Sequence, residues 1–411
     1  MKTPPALVFI ESNTSGTGRL MAAKARSAGF VPVMFAEDPA RYPWLDGDGI
    51  ATRRVETQSL TDLQRHLDRL RSEMPVAGVF SSSEYFIGSA AFLAQCAGLP
   101  GADSSAVAKC RDKREQRRVL LEAGIPVPKF VAAQTPSQAA EAAMTIGVPV
   151  VVKPTTGTGS MGVLLCHTIN EVATQADRLL ARTVNERGMP IPREVLVEEF
   201  VDAPEFSVET FGAVAVGVTQ KHVSPPPHFV EIGHDFPAPV ARVHLEALRT
   251  TTVAALQAIG LTWGPAHTEL RLTAGGPVVI EVNPRLAGGF IAELIRYAVG
   301  IDLLHQTMRA ACGDGADLAR SCQRYASIRF ITVKETGRIA KICIQDAETS
   351  PQVAEVSLYR RIGDTVQVNN DFRDRIGHVI AVGETFDQAA SSAAAALEKV
   401  SIEMSAEVVA G

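Results

Sequence analysis

The sequence predicts an α/β protein: a doubly wound N-terminal domain with a mostly parallel sheet, followed by a C-terminal half of α+β character. Three observations predict it. Short apolar runs alternate with helical patterns at the start, a glycine-rich loop at 155–163 joins two strand-like runs, and a long hairpin pattern lies at 267–285.

Taken in order, ALVFIES (6–12) is an apolar run ending in the turn-rich NTSGTG, followed by a helical pattern in RLMAAKARSAG and a second strand in VPVMFAED. VAGVFSS (76–82) reads as a further buried strand, with helical spacing through IGSAAFLAQCAG. The charged stretch SSAVAKCRDKREQRRVLLEAG predicts a helix with serines to cap its start and Gly124 to end it. Pro126 and Pro128 make IPVPKFVAA an extended connector. VPVVVKP and GVLLCHT are strands on either side of the glycine loop, and REVLVEEFV, EFSVETFG and FGAVAVGVTQKH follow as strands. SPPPHF is a loop on composition, and FVEIGHDFPAP (229–239), bounded by prolines, is expected to be an ordered loop. After a helix in HLEALRTTTVAALQAIG, HTELRLT and PVVIEVNPR pair as a hairpin around AGG. YASIRFITV and HVIAVG are strands, and DQAASSAAAALEKV is a final helix. No internal repeat is visible. The expected divisions are 1–108, 109–190 and 191–411.

The 411 residues are 46% hydrophobic, ample for a large core, and the formal net charge of -5 leaves no basic footprint. Nucleic acid and an anionic membrane are therefore excluded as main partners in favour of small molecules. The six cysteines are scattered, without a CxxC pair or clustering with histidines, which suits reduced core thiols. The start has an apolar run too short for a signal peptide, and no stretch of about 18 apolar residues follows, so a cytoplasmic location is expected.

In KPTTGTGSMGV (153–163), Gly157, Gly159 and Gly162 let the backbone approach an anion closely, and Lys153 would supply a point charge to phosphate oxygens. The bland alternative is a flexible hairpin turn with a solvated lysine. A P-loop joins a strand to a helix, with its lysine after the glycines; here the lysine precedes them and the loop joins two strands. In HTELRLTAGGPVVIEVNPR, strand alternation points Glu281, Asn283 and Arg285 one way, with Glu269 able to face them from the partner strand. Two carboxylates and an amide oxygen suit a hard cation, Mg²⁺ shared with nucleotide phosphates, and the arginine suits a phosphoryl group or carboxylate. The alternative is a solvated hairpin face. Glu198 and Glu205 in VLVEEFVDAPEF flank a turn, where they fit either a nucleoside or ordinary surface chemistry. Glu231 and His234 are loop groups of the kind that contact ligands, although a lone histidine is more often structural.

These pieces, in this order, with CRDKREQRRVLLEAGIPVP, resemble the ATP-grasp superfamily over nearly the whole chain, and FVEIGHDFPA with EVNPRLAGGF is similar to its carboxylate-amine ligases, especially the L-amino acid ligases that make dipeptides. The resemblance implies an ATP-grasp fold behind an N-terminal pre-ATP-grasp domain, with ATP and Mg²⁺ (or Mn²⁺) as cofactors. It implies that Lys113 and Lys153 bind ATP phosphates under a lid containing Gly157, Thr158, Gly159, Ser160, Met161 and Gly162. Glu198 would meet the adenine amine, the backbone of Glu199, Phe200 and Val201 would line the adenine slot, and Glu205 would take the ribose hydroxyls. Glu269, Glu281 and Asn283 match the metal ligands, and Arg285 the arginine that steadies the reacting groups, with Glu281 as its catalytic companion. Glu231, His234, Gly288 and Gly289 match positions at the substrate site, which would take a small carboxylate and an amine, and relatives are often homodimers. Two positions depart from the pattern. Glu199 stands where many relatives carry lysine, and Gly289 where some dipeptide ligases carry a bulky residue, which implies a roomier pocket.

The competing enzyme reading is an ATP-grasp carboxylase or purine-pathway ligase acting on bicarbonate or a ribonucleotide. A nicotinamide-dependent dehydrogenase is disfavoured because ESNTSGTGR lacks a full GxGxxG after Gly16 and Gly18. Intact metal-ligand positions argue against a non-catalytic nucleotide sensor, and no Ser-His-Asp spacing calls for a protein nucleophile.

Overall fold

The computed structural model describes residues 4–13 and 17–405. Thr14, Ser15 and Gly16, part of the turn expected after the first strand, lie outside the described residues. The N-terminal sheet is parallel and four-stranded, in the order Ala51–Arg54, Val31–Ala36, Ala6–Ile10, Val76–Phe80. Its central strand is buried along its whole length, as a near-continuous apolar run covered on both faces must be. The helix Leu60–Glu73 starts where the Ser59 side chain accepts from the Asp62 amide, and it buries Leu63, Leu67 and Leu70, spaced as one helical face.

The charged stretch expected as one helix is two, Ser104–Arg111 and Lys113–Glu122. Asp112 breaks it: its backbone turns extended and its side chain accepts from the Arg114 and Glu115 amides. Asp103, not the serines, caps the first helix. The break has a consequence for the site. It puts Lys113 at a helix start, where its amide donates to Thr155 O at 2.9 Å in the glycine loop.

The central sheet is antiparallel, in the order Phe130–Ala133, Val195–Glu199, Val150–Pro154, Leu164–Cys166. The helices Pro136–Ile146 and Ile169–Leu180, capped by Thr135 and Thr168, pack against it. This sheet carries the chain beyond the division expected at 190/191, and the division expected at 108/109 falls inside the helix Ser104–Arg111. Pairing of Val195–Glu199 with Phe130–Ala133 and Val150–Pro154, which local composition does not record, is what carries the sheet past 190.

The C-terminal half forms an eight-stranded sheet, in the order Gly276–Asn283, Pro265–Thr273, Glu205–Phe211, Val214–Val223, Glu231–Phe236, Tyr325–Thr332, Arg375–Gly383, Val353–Leu358. Glu231–Phe236, expected as a loop, is a strand with antiparallel partners on both sides. The prolines that suggested a loop, Pro227 and Pro237, lie just outside it, where they remove no ladder hydrogen bond. One hydrophobic cluster runs from Leu7, Phe9 and Met21 of the N-terminal domain to Ile295, Leu304 and Ile328 of the C-terminal half.

On the same strand, Asp235 is buried between His222, at 2.5 Å, and Arg329, at 2.8 Å. Burial alone would raise its pKa, but the His222 and Arg329 contacts outweigh burial and lower it to about 2. A carboxylate depressed in the folded state stabilises above its unfolded value of 3.8, and that contribution disappears as pH falls through about 2. Asp235→Asn is therefore expected to cost about 2 kcal/mol at pH 7, with the gap from the parent narrowing between pH 4 and pH 2 in urea titrations.

Candidate active site

The N-terminal, central and eight-stranded sheets meet at one cavity of about 1590 Å³, lined by Lys113, Lys153, the glycine loop, Glu198, Phe200, Glu205, Glu269, Glu281, Asn283 and Arg285 among others. Lys153 stands near the end of its strand, almost fully buried, and pairs with Glu198 on the adjacent strand. Glu198 is held from its other side by Arg117 Nε at 2.7 Å, and Arg117 also donates to Ile280 O of the hairpin. Burial would raise the Glu198 carboxyl, but Arg117 and Lys153 outweigh it and lower its pKa. Burial, only partly offset by Glu198, lowers that of Lys153.

The glycine loop is latched to the hairpin. Lys113 Nζ lies 2.7 Å from Glu281 Oε1 and donates to Gly157 O at 3.1 Å, while Arg285 Nη2 donates to Thr158 Oγ1 at 3.3 Å. Gly159 has φ +65°, and a Cβ there would sit 2.4 Å from the Phe372 ring, so only glycine lets the loop lie this close to the C-terminal region. Ser160 and Met161 line the cavity with Gly157, Thr158 and Gly159. Gly162, expected in the lid's binding face, does not. It packs against Leu179 and Pro154, and its carbonyl accepts from Gln175 at 2.7 Å, so it anchors the far end of the loop.

In the hairpin, Glu269 and Glu281 are register partners. Asn283 is buried, and among the described residues its side-chain amide has no hydrogen-bond partner. Arg285 lies beyond the strand, which ends at Asn283, so strand alternation does not aim it; Glu84 does, pairing with its guanidinium. Arg111 holds Glu84 from the opposite side. Burial opposes ionisation of Glu84, yet Arg285 and Arg111 bring its pKa down to about 2.

On the hinge side, Phe200 and Val201 line the cavity with Arg271, whose guanidinium lies 5.3 Å from the Phe200 ring centroid and 5.5 Å from that of Phe229. Arg271 also donates to Val201 O at 2.7 Å and to Glu205 at 3.1 Å. The Glu199 carboxylate accepts from the Lys129 amide at 3.2 Å. A cationic-aromatic surface beside a carboxylate is a suitable seat for a heteroaromatic ring with an attached polyol.

With this geometry in place, a model of the ATP-grasp domain matches residues 146–293, which span the glycine loop, hinge and hairpin. A model described as L-amino acid ligase C-terminal domain 2 matches residues 329–405. An uncharacterized protein of Sinorhizobium fredii, y4rH, is 37% identical over 400 residues, covering 97% of this chain and 83% of that protein. Dapdiamide A synthase of Enterobacter agglomerans is 25% identical over 250 residues, 57% of each chain, so this chain spans little more than half of that relative's length. An L-amino acid ligase from Bacillus licheniformis shares the fold at a TM-score of 0.81, with 21% identity over 98% of this chain and 100% of that one.

The chain belongs to the ATP-grasp carboxylate-amine ligases. Its fold is the ATP-grasp fold, and it is an ATP-dependent ligase forming C–N bonds.

The cavity of this ATP-grasp ligase holds, on the strand Val214–Val223, a group that the sequence concealed. Lys221, its side chain 2% exposed, contacts Glu205 at 2.8 Å, Glu231 at 3.0 Å and Glu269 at 2.8 Å. Burial disfavours its charge, but the three carboxylates outweigh burial and hold its pKa well above the usual lysine range. Each carboxylate has a second cationic neighbour: Arg271 for Glu205, Arg375 at 2.6 Å for Glu231, and His267 at 3.1 Å for Glu269. Burial would lower the His267 pKa, but Glu209 and Glu269 raise it to about 9. The one sequence signal for Lys221 is a lysine inside a β run; strand order supplies the rest, since Glu205 faces both Lys221 and Arg271 in register.

Glu231, Gly288 and Gly289 line the cavity of the ligase, but His234 does not. It is fully buried, edge-on to Phe330 at 5.6 Å, with Nε2 3.6 Å from Glu231 Oε2. Burial, stronger than the pull of Glu231, lowers its pKa. His234 therefore supports Glu231 from behind. Gly289, at φ +60°, sits directly over it, and an added Cβ would lie 2.5 Å from His234 Nε2. Among the described residues no helix is long and apolar enough to cross a membrane.

Proposed function

We propose that this ligase joins an amino acid or small carboxylic acid to an amine by way of an acyl phosphate, releasing ADP and phosphate. The observation that supports it best is the meeting, in one cavity, of the latched glycine loop with register-paired Glu269 and Glu281. At about 1590 Å³ that cavity exceeds the usual few-hundred to about 1,000 Å³ for one small ligand, which leaves space for a nucleotide and a second molecule.

The nucleotide base would lie between Phe200, Val201 and Arg271, with Glu198 reading its amine and Glu205 its ribose. Lys113 and Lys153 would face the phosphates. Glu269, Glu281 and the unengaged Asn283 amide fit a hard, oxygen-seeking ion such as Mg²⁺. Such an ion, when bound, neutralises charge on the transferring phosphoryl group.

A carboxylate is a poor acyl donor. Its oxygen attacks the γ-phosphorus, the bond to the β-phosphate oxygen breaks, and ADP leaves. The amine then attacks the acyl carbon, and the C–O bond to phosphate breaks as the amine's proton is lost. Arg285, held by Glu84 and next to Thr158, would stabilise the oxyanion between these steps. The glycine loop, lying against Phe372, excludes water that would hydrolyse the acyl phosphate.

Phosphate release should be screened against pools of amino acids and small carboxylic acids, with products identified by mass spectrometry. An ATP-dependent mass equal to acid plus amine minus water is the expected result. ADP release that needs bicarbonate and no amine would establish the carboxylase reading instead.

The roomier pocket at Gly289 has its own test. Gly289→Trp is expected to lose larger substrates and keep small ones, and unchanged selectivity would remove that role. The tryptophan must displace His234, so a melting curve should accompany the assay.

A further inference from the structure

We propose that Lys113 and Lys221 serve as built-in counter-cations that keep a divalent metal off Glu269 and Glu281 until nucleotide arrives, a role that presupposes the ligase reading above. Each carboxylate of the register pair is already held by an ammonium group: Glu281 by Lys113 at 2.7 Å, and Glu269 by Lys221 at 2.8 Å. His267 adds a further contact to Glu269 at 3.1 Å.

The two lysines are held differently. Lys221 is locked among three carboxylates and almost completely buried. Lys113 has one carboxylate and one carbonyl, Gly157 O, and it faces the cavity. An ion entering the empty protein meets positive charge at both carboxylates, within a few ångströms and shielded from water, where like charges repel strongly. Nucleotide phosphates reverse this balance: they draw Lys113 from Glu281 towards themselves and bring negative charge and oxygen donors of their own. Lys221 remains in place and holds Glu205, Glu231 and Glu269 together, so that the sugar, substrate and metal positions stay at fixed separations. The metal therefore enters with the nucleotide rather than before it.

The test is Mn²⁺ binding to the full-length, nucleotide-free protein, read from the electron paramagnetic resonance signal of free Mn²⁺. Lys221→Met and Lys113→Met are each expected to bind Mn²⁺ at least about tenfold more tightly than the parent, while Lys221→Arg, which keeps the charge, stays at the parent level. Adding Glu281→Gln to Lys113→Met should cancel the gain, which locates it at this hairpin. Should Lys221→Met fail to fold, Lys113→Met alone decides, since its ammonium group faces the cavity. Lysine variants that bind Mn²⁺ no more tightly than the parent would overturn the proposal. The readout needs no substrate, so a failed ligation screen leaves it intact, and unchanged Mn²⁺ affinity in an active ligase removes only this inference.

Discussion

Glu281→Ala is expected to abolish ATP turnover, a loss of at least about a hundredfold to a thousandfold if its role is to place charge against the transferring group. The fold should survive. Glu281 faces the cavity, and Lys113, its ion-pair partner among the described residues, retains the Gly157 carbonyl and faces the same cavity. The measurement is phosphate release under saturating ATP beside circular dichroism and a thermal melt. Near-normal ligation by a folded Glu281→Ala protein would defeat the assignment of the hairpin. Glu281→Gln separates charge from shape: it keeps an oxygen donor but removes the negative charge, so intermediate activity would point to ligand geometry and complete loss to charge.

Arg117→Met is expected to lower stability by about 3–5 kcal/mol, the range for breaking a buried ion pair by removing one partner. Arg117 is fully buried and belongs to the helix Lys113–Glu122, yet it pairs with Glu198 in the central sheet and donates to Ile280 O in the hairpin. Its loss leaves Glu198 with Lys153 as its one cationic partner among the described residues and Ile280 O without this donor. A lower urea midpoint is the first readout. Because Glu198 is placed at the proposed adenine seat, a raised KM for ATP is the second. Arg117→Lys should recover part of both, since it keeps the charge but loses the two-point grip. A stability equal to the parent's in Arg117→Met would show that the three-way junction does not depend on this side chain.

The fold was legible where periodicity is local. The parallel opening, the two strands around the glycine loop and the 267–285 hairpin all appear where apolar runs and turn residues put them. Misreadings fell where a polar side chain overrides a pattern or where prolines border a strand. Asp112 divides a helix that composition presents as continuous, and Pro227 and Pro237 flank a strand rather than a loop. At the site, the glycine loop, Glu269, Glu281 and Glu231 were readable because each stands in a short run of recognisable chemistry. Arg117, Lys221, Arg271 and Glu84 were not, because their partners lie far away in the chain.

Outside the helix divided at Asp112 and the strand bordered by prolines, the sequence by itself determined the element types, the placement of the glycine loop between two strands and the carboxylates of the hairpin, since these depend on neighbours a few residues apart. Only the tertiary structure decided that Glu198 is shared by Lys153 and Arg117, that Arg285 is aimed by Glu84, and that Lys221 joins three carboxylates. It also moved His234 from the cavity wall to a buried support behind Glu231. The reason is physical: a buried charge is tolerated only with partners, and partners come from strand order and sheet contacts, which no local pattern records.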